Sequence, residues 1–204
     1  MYKVVIFDLW DTIAYLKGLS NLNAELEARL GKVRFEEVKK RFVEWHLNTE
    51  AQKVLLRSLT KDLDASSEES QLIKAYLDPK EATLFPETIE ALQKLKDKNI
   101  PVILLTNSPP TSKINVSALG LVPYFTRLLF SCDMGLMKPQ KEFYKKAIEG
   151  LVSDPSDALM IGDSYEKDYL GAKAAGLSAL HLVRTGQSPT EESIKNLLEV
   201  LKFI

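Results

Sequence analysis

Short runs of apolar residues alternate with segments of helical periodicity along most of the chain. The apolar runs predict strands near 3–9, 100–106, 128–131, 158–162 and 179–183. Continuous apolar runs indicate strands that are buried on both faces, which is typical of a parallel sheet covered by helices on each side. The repeated β-α order therefore predicts an α/β fold with a doubly wound parallel sheet.

Two of the predicted helices carry terminal signals of their own. Proline suits the first turn of a helix, where its missing N–H costs nothing, so one helix is expected to begin at Pro86 and to lead into the strand near 100–106. The segment Ser188-Pro189-Thr190-Glu191 matches a capping box with proline in the first helical position. It predicts a final helix that packs against the sheet.

The alternation stops between about Ala14 and Leu84, where every apolar pattern has a helical period. Gly31 and the segment 64–67 break this region into separate helices, and Ser66 with Glu69 is expected to cap the last one. We therefore predict an α-helical cap over 14–84 that is inserted into an α/β core formed by 1–13 and 85–204.

Composition narrows the possible partners and location. The chain has 204 residues and 45% hydrophobic content, with 27 basic against 28 acidic residues and a net charge of -1. This balance offers no general attraction to nucleic acid or to an anionic membrane, and no apolar stretch reaches the roughly 20 residues of a membrane span. The single cysteine, Cys132, cannot form an internal disulfide, and no signal-peptide pattern precedes the first strand. A cytoplasmic location is expected, whereas the oligomeric state is left open.

Several predicted strands end in residues that suit ion or phosphate binding. Asp8 ends the first apolar run, Asp163 follows the run at 158–162, with Asp168 a turn further on, and Thr106 ends a third strand. A buried carboxylate is costly unless a cation or hydrogen-bond donors meet it. Because ligands of open parallel sheets bind beyond the carboxyl ends of the strands, these residues are expected to converge on one crevice.

These segments, with Lys138 before a proline, resemble the four motifs of the haloacid dehalogenase (HAD) superfamily, whose members are mostly phosphatases. The resemblance covers nearly the whole chain. It implies that Asp8 is a nucleophile that forms an aspartyl-phosphate and that Lys138 neutralises the nucleophile and the phosphate. It also implies that Thr106 and Asn107 bind the substrate, with Thr106 holding the transferring phosphoryl oxygens.

The resemblance further implies a Mg²⁺ cofactor and a small phosphorylated substrate enclosed by the helical cap. The metal ligands would be Asp8, the main-chain carbonyl of Trp10, Asp163 and Asp168, since Mg²⁺ prefers hard oxygen donors. For Asp168, direct ligation, ligation through water, and a capping role at the following helix all remain open.

The chain departs from the family pattern at Trp10. Phosphatases of the family usually carry a second aspartate at this position, which protonates the leaving alcohol. General acid–base assistance is typically worth about 10²–10⁴-fold in rate, so its absence should slow ordinary monoester hydrolysis. Asp11, one residue later, either substitutes for the missing acid or only shapes the turn.

Trp10 also keeps two other functions open. A metal-independent 2-haloacid dehalogenase with Asp8 as nucleophile would carry an aromatic residue there and would need a cation for the substrate carboxylate. Arg29, Arg34 and Arg41 are candidates for this cation, although their spacing also fits solvated helix faces. The retained Asp163 favours the phosphatase. The third possibility is a non-catalytic protein that binds a phosphorylated ligand or a partner.

Overall fold

The computed structural model describes residues 2–77 and 82–204. Its strands are β1 Val4–Phe7, β2 Ala14–Leu16, β3 Ala82–Leu84, β4 Val102–Thr106, β5 Arg127–Phe130, β6 Ala158–Gly162, β7 Ser178–Leu182 and β8 Ser193–Ile194. Six of them form a parallel sheet in the order β5-β4-β1-β6-β7-β8, and β2 pairs with β3 in an antiparallel ribbon. The predicted α/β class with a parallel sheet is confirmed.

The helices fill the connections between these strands. The α-helices are α1 Leu19–Leu30, α2 Lys32–Trp45, α3 Gln52–Asp62, α4 Ser67–Leu77, α5 Thr88–Asp97, α6 Ser112–Ala118, α7 Ser131–Met134, α8 Lys141–Ile148 and α9 Gly171–Ala174. A π-helical segment spans Tyr165–Leu170, and 3₁₀ turns span Val122–Tyr124, Pro155–Asp157 and Leu197–Lys202. No helix in the described ranges is both long and apolar enough to span a bilayer.

The strands of the sheet bury residues on both faces because their side chains alternate in direction. In β1, Val5 and Phe7 belong to one core cluster, which includes residues of α5 and the C-terminal 3₁₀ turn. Val4 and Ile6 belong to the other cluster, with residues of α8 and α9. The sheet is therefore covered on both sides, and Asp8 follows directly from a fully buried strand.

Helices α1 to α4 form a third core cluster of their own, which includes Leu26, Phe35, Trp45 and Ile73. The capping box at the start of α4 is present as expected, because Ser66 Oγ accepts from the Glu69 N–H at 3.2 Å and the Glu69 carboxylate accepts from the Ser66 N–H at 2.7 Å. The division into core and cap stays a prediction, and residues 78–81 of the proposed cap lie outside the described residues.

Two local predictions were wrong. The region from Ala14 to Leu84 is not helical at its ends, because β2 and β3 pair with each other there. The segment from Ser188 does not begin a helix, since the backbone N–H of His181 donates to Glu192 and that of Val183 donates to Ile194. Pairing with β7 thus outweighs the local capping signal, and helical structure resumes as a 3₁₀ turn at Leu197.

Candidate active site

The predicted site residues meet at the carboxyl end of three adjacent strands. β1 lies between β4 and β6 in the sheet, with Phe7 aligned to Leu104 on one side and to Ile161 on the other. Asp8 therefore extends from the central strand, Thr106 ends one neighbour, and Asp163 follows the other. This register brings side chains that are far apart in sequence to one edge of the sheet.

Three carboxylates form an acidic cluster at this edge. Asp8, Asp163 and Asp168 each offer an oxygen atom, and these atoms lie within 4.8 Å of one another. Asp8 and Asp168 are buried, whereas Asp163 is exposed to solvent. Carboxylate oxygens are the donors that Mg²⁺ prefers, and their number exceeds that of the nearby cations, so the donor set fits a divalent metal.

Lys138 is the cation that meets the buried acids. Its Nζ atom donates to Oδ1 of Asp8 and to Oδ1 of Asp168, both at 2.6 Å, and its side chain is only 2% exposed. Asn107 fixes the backbone of this lysine, because its amide accepts from the Lys138 N–H and donates to the Lys138 carbonyl, each at 2.8 Å. The Asn107 side chain is thereby directed to Lys138, a connection that the sequence did not reveal.

Glycine at position 162 is required by the close approach of Asp168. A Cβ atom on Gly162 would lie 2.2 Å from Cγ of Asp168, a distance that real contacts do not reach. Oδ2 of Asp168 also accepts from the backbone N–H of Ser164 at 3.0 Å. Both oxygens of Asp168 thus have partners, so this acid holds Lys138 and the Ser164 turn in place.

The turn that carries Asp163 is held by Thr12 and His181. Oγ1 of Thr12 accepts from the Asp163 N–H at 3.1 Å, and Nε2 of His181 lies 2.9 Å from the Asp163 carbonyl oxygen. Neither residue was predicted to belong to the site. Their contribution depends on the pairing of β1, β6 and β7, which no local pattern around Thr12 or His181 indicates.

Thr106 lies fully within the protein at the end of β4. Its hydroxyl is 2.6 Å from the hydroxyl of Ser108, and the Ser108 N–H donates to Ser131 Oγ at 2.9 Å. Ser108, in the loop after β4, is therefore held by both Thr106 and Ser131. Its polar groups lie at the same edge as Asp8.

Burial and crowding of like charges raise the pKa of two of the acids. The pKa of Asp8 rises to about 7, chiefly because burial disfavours the charged form, although Lys138 opposes this rise. The pKa of Asp163 rises to about 6, first through desolvation and then through the negative charges of Asp168 and Asp11. The pKa of Lys138 is raised because the attraction of Asp168 and Asp8 outweighs its burial. Without a metal ion, the three carboxylates carry more negative charge than Lys138 alone balances.

Trp10 and Asp11 line a cavity between the sheet edge and the cap helices. Asp11 has a left-handed backbone with φ of 57°, a conformation that aspartate tolerates better than most residues, and burial raises the pKa of its carboxyl. Asp11 also lines a second cavity, together with Asp163 and Arg184.

The cap arginines that a dehalogenase would need are engaged elsewhere. Arg29 pairs with Glu68 at 3.1 Å, Arg34 with Glu69 at 2.9 Å and Arg41 with Asp62 at 3.2 Å. All three pairs connect one cap helix to another. Within the described part of the chain, none of these arginines lines the cavity.

The model of the haloacid dehalogenase-like hydrolase family matches residues 2–176 of this chain. The chain belongs to this family. Among curated relatives, this haloacid dehalogenase-like hydrolase is 29% identical to the phosphoglycolate phosphatase of Neisseria gonorrhoeae over 85% of its own length and 77% of the relative. It is 32% identical to the ribulose-1,5-bisphosphate 5-phosphatase of Halopiger xanaduensis, where the match spans 58% of this chain and about half, 49%, of the relative.

Solved structures of the same family share the fold of this hydrolase. A HAD phosphatase from Thermococcus onnurineus superposes with a TM-score of 0.69 at 26% identity and covers 98% of this chain and 97% of its own. A 2-haloacid dehalogenase from Pseudomonas syringae superposes with a TM-score of 0.72 at 24% identity, with coverage of 99% and 97%. The second likeness concerns the fold alone.

Proposed function

We propose that this hydrolase is a Mg²⁺-dependent phosphatase that acts on a small phosphorylated metabolite. One observation carries the proposal: three carboxylate oxygens lie within 4.8 Å of one another beside a buried lysine. Such a cluster suits a cation and a phosphate together, because phosphoryl transfer depends mostly on positioning and on charge stabilisation. The phosphatases among its relatives support the same reading.

Asp8 is the proposed nucleophile. Its carboxylate attacks phosphorus, the bond from phosphorus to the leaving oxygen breaks, and the resulting aspartyl-phosphate is hydrolysed by water. Lys138, 2.6 Å from Oδ1 of Asp8, offsets the negative charge that the attacking acid and the phosphate bring together. The Thr106 hydroxyl and the N–H groups of the loop after β4 hold the phosphoryl oxygens.

Asp8, Asp163 and the Trp10 carbonyl would hold the Mg²⁺ ion directly, with Asp168 as a supporting acid that orients Lys138. When bound, the metal supplies positive charge that draws the phosphoryl oxygens and lowers the repulsion between substrate and carboxylate. A backbone ligand places no demand on the side chain at position 10. Tryptophan is therefore compatible with the metal site even though it cannot donate a proton to a leaving alcohol.

The dehalogenase alternative rests on Trp10, and two features weigh against it. Asp163 remains in the acidic cluster, where a metal-independent reaction has no use for it, and the cap arginines are paired with acids of the cap. Nucleic-acid or membrane partners form no part of the proposal, and the cytoplasmic location stays a prediction.

Purified protein assayed with 4-nitrophenyl phosphate and with chloroacetate, each with and without Mg²⁺, tests the proposed function. Nitrophenolate leaves without acid help, so Trp10 should not limit this reaction. We expect phosphate release that requires Mg²⁺ and is lost in Asp8→Asn. Halide release without metal would establish the dehalogenase instead, and inactivity toward both substrates would favour the binding protein.

A further inference from the structure

A cavity of about 420 Å³ lies next to the proposed active site. On the sheet side, Trp10 and Asp11 form its wall directly after Asp8, and Thr111 and Ser112 form it shortly after the loop that follows β4. Helices α1, α2 and α4 contribute the opposite wall. A volume of this size suits a small molecule, and because Trp10 and Asp11 in its wall follow Asp8 by two and three residues, the cavity suits the leaving group of a phosphate held near Asp8.

Much of the cavity wall is aromatic or aliphatic. Trp10, Phe42 and Tyr76 contribute rings, and Leu16 and Leu19 contribute aliphatic side chains. The rings of Phe42 and Tyr76 lie 5.0 Å apart between centroids, so they form a continuous apolar surface. Such a wall favours a leaving group with an apolar body.

Two polar side chains in the wall carry buried atoms without partners. Asn23 Oδ1 and His46 Nε2 are closed to solvent, and neither has a hydrogen-bond partner among the residues that the structure describes. A buried polar atom without a partner is unfavourable, so a rotation of either side chain that brings this atom to the cavity surface lets a ligand supply the missing hydrogen bond. Asn23 Oδ1 accepts, and the role of Nε2 depends on the His46 tautomer.

The charges around the cavity disfavour an anionic leaving group. No lysine or arginine lines it in the ranges 2–77 and 82–204, and Asp11 adds a carboxylate. Burial, and to a smaller extent the nearby charge of Lys167, lowers the pKa of His46 to about 4, so this imidazole is neutral near pH 7. A second anionic group on the substrate would lie beside Asp11, and the described lining residues include no cation to pair with it; Lys167, whose charge reaches His46, is not among them.

We propose that the substrate is a phosphate monoester of an uncharged alcohol with an apolar body, whose polar end forms hydrogen bonds with Asn23 and His46. This inference rests on the proposed phosphatase activity and names the substrate class for the same site. Asn23 and His46 act as specificity residues, and they take no part in the transfer itself.

Two matched esters test the charge preference: 4-(hydroxymethyl)benzyl phosphate and 4-carboxybenzyl phosphate. They differ chiefly in the charge at the far end of the ring. We expect kcat/KM for the hydroxymethyl ester to be at least about tenfold higher, which is the ratio expected for one well-placed hydrogen bond together with an unpaired charge. Equal rates, or a preference for the carboxylate, would overturn the substrate class while leaving the phosphatase intact. Failure of both esters and of 4-nitrophenyl phosphate would remove the proposed function and this inference with it.

Variants of Asn23 provide the second test. Asn23→Ala should raise KM for the hydroxymethyl ester by about tenfold, with a smaller change in kcat, because the lost contact is made equally before and during the reaction. The resulting loss of kcat/KM should be larger for the hydroxymethyl ester than for unsubstituted benzyl phosphate. Asn21→Ala, an exposed position in the same helix, is the matched control and should behave as wild type.

Asn23→Lys supplies the cation that the cavity lacks. We expect this variant to shift the kcat/KM ratio of the two esters toward 4-carboxybenzyl phosphate by about tenfold or more. Its circular dichroism spectrum should match that of wild type, which shows that the variant is folded. His46→Phe should reduce the advantage of the hydroxymethyl ester over benzyl phosphate. If folded Asn23→Ala, Asn23→Lys and His46→Phe all keep the wild-type ratios, Asn23 and His46 do not select the substrate.

Discussion

Lys138 Nζ lies 2.6 Å from Oδ1 of Asp8, although 130 residues separate them in the sequence. The lysine is buried and also contacts Asp168, so one ammonium connects the proposed nucleophile to the acid that follows β6. Loss of one partner from a buried ion pair typically costs about 3–5 kcal/mol, because the remaining charge is left without compensation. We therefore expect Lys138 to serve both stability and chemistry.

Lys138→Met is expected to abolish phosphatase turnover and to lower the free energy of unfolding by about 3 kcal/mol in metal-free buffer. Urea denaturation and the 4-nitrophenyl phosphate assay measure the two effects. Lys141→Met, an exposed lysine three residues later, is the matched control and should change neither. Near-normal turnover by a folded Lys138→Met protein would exclude Lys138 from the reaction.

Gly162→Ala is expected to displace Asp168, because the added Cβ would lie 2.2 Å from its Cγ. The overlap should cost about 1–3 kcal/mol of stability and reduce turnover at least tenfold, since Asp168 orients Lys138. Gly120→Ala provides the comparison: nothing lies within 4 Å of its Cβ, and its left-handed backbone, with φ of 68°, costs about 1–2 kcal/mol. Its kcat should stay at the wild-type value. Thermal unfolding and steady-state rates separate the two substitutions, and an unchanged kcat in Gly162→Ala would contradict the role given to Asp168.

Trp10→Asp is expected to accelerate hydrolysis of alkyl phosphates by about tenfold or more, because a carboxylic acid at this position can protonate the leaving oxygen. The rate for 4-nitrophenyl phosphate should change less, since nitrophenolate needs no proton. The ratio of alkyl to aryl kcat is the measurement. An unchanged ratio in a folded variant would show that another group already donates the proton.

Asp11 is the residue to examine in that case. Asp11→Asn should then lower the alkyl rate while affecting the aryl rate less. Asp64→Asn is the matched control, because Asp64 has the same left-handed backbone, with φ of 48° against 57° for Asp11, and is exposed in the cap region. It separates loss of a proton donor from a general effect of the substitution.

The raised pKa values predict how pH affects the metal-free protein. Unfolded aspartates titrate near 4, whereas burial raises the pKa of Asp8 to about 7 and that of Asp163 to about 6. Between the unfolded pKa of about 4 and these folded pKa values, the folded protein binds more protons than the unfolded chain. These two groups therefore make the free energy of unfolding fall as pH rises from about 4 to about 7. Mg²⁺ should offset this loss, since it binds the charged form.

Denaturation at several pH values, with and without Mg²⁺, measures this effect. Asp163→Asn removes one of the two groups, so its stability should fall less with rising pH than that of wild type, and its response to Mg²⁺ should be weaker. Asp97→Asn, an exposed carboxylate at the end of α5, is the control. Identical pH profiles for wild type and Asp163→Asn would contradict the crowding of charge at this edge.

The convergence of side chains at the strand ends could be predicted from the sequence. Each apolar run marks a buried strand, and parallel strands bring their carboxyl ends to one edge of the sheet. Asp8, Thr106 and Asp163 follow from this reasoning. The contact of Asn107 with the Lys138 backbone does not, because it depends on loop conformations that no periodicity encodes. The helix expected from Ser188 failed for a related reason: a local cap signal cannot report that residues 192–194 pair with β7.

The cavity was also beyond prediction from the sequence. Asn23 and Phe42 belong to helices whose periodicity indicates a buried face, and His46 follows the end of α2. The rotation of those helices relative to the sheet decides which side chains line the cavity. Phe35 and Trp45 are buried in the cap cluster, whereas Phe42 packs beside that cluster and also lines the cavity.

A rapid-quench experiment tests the covalent role of Asp8 most directly. Protein mixed with Mg²⁺ and an excess of 4-nitrophenyl phosphate is quenched in acid within milliseconds and digested, and the peptides are analysed by mass spectrometry. Our account predicts a phosphoryl group on the peptide that contains Asp8, labile to hydroxylamine and absent when Mg²⁺ is withheld. Phosphorylation of a different residue, or full turnover by Asp8→Asn, would contradict it.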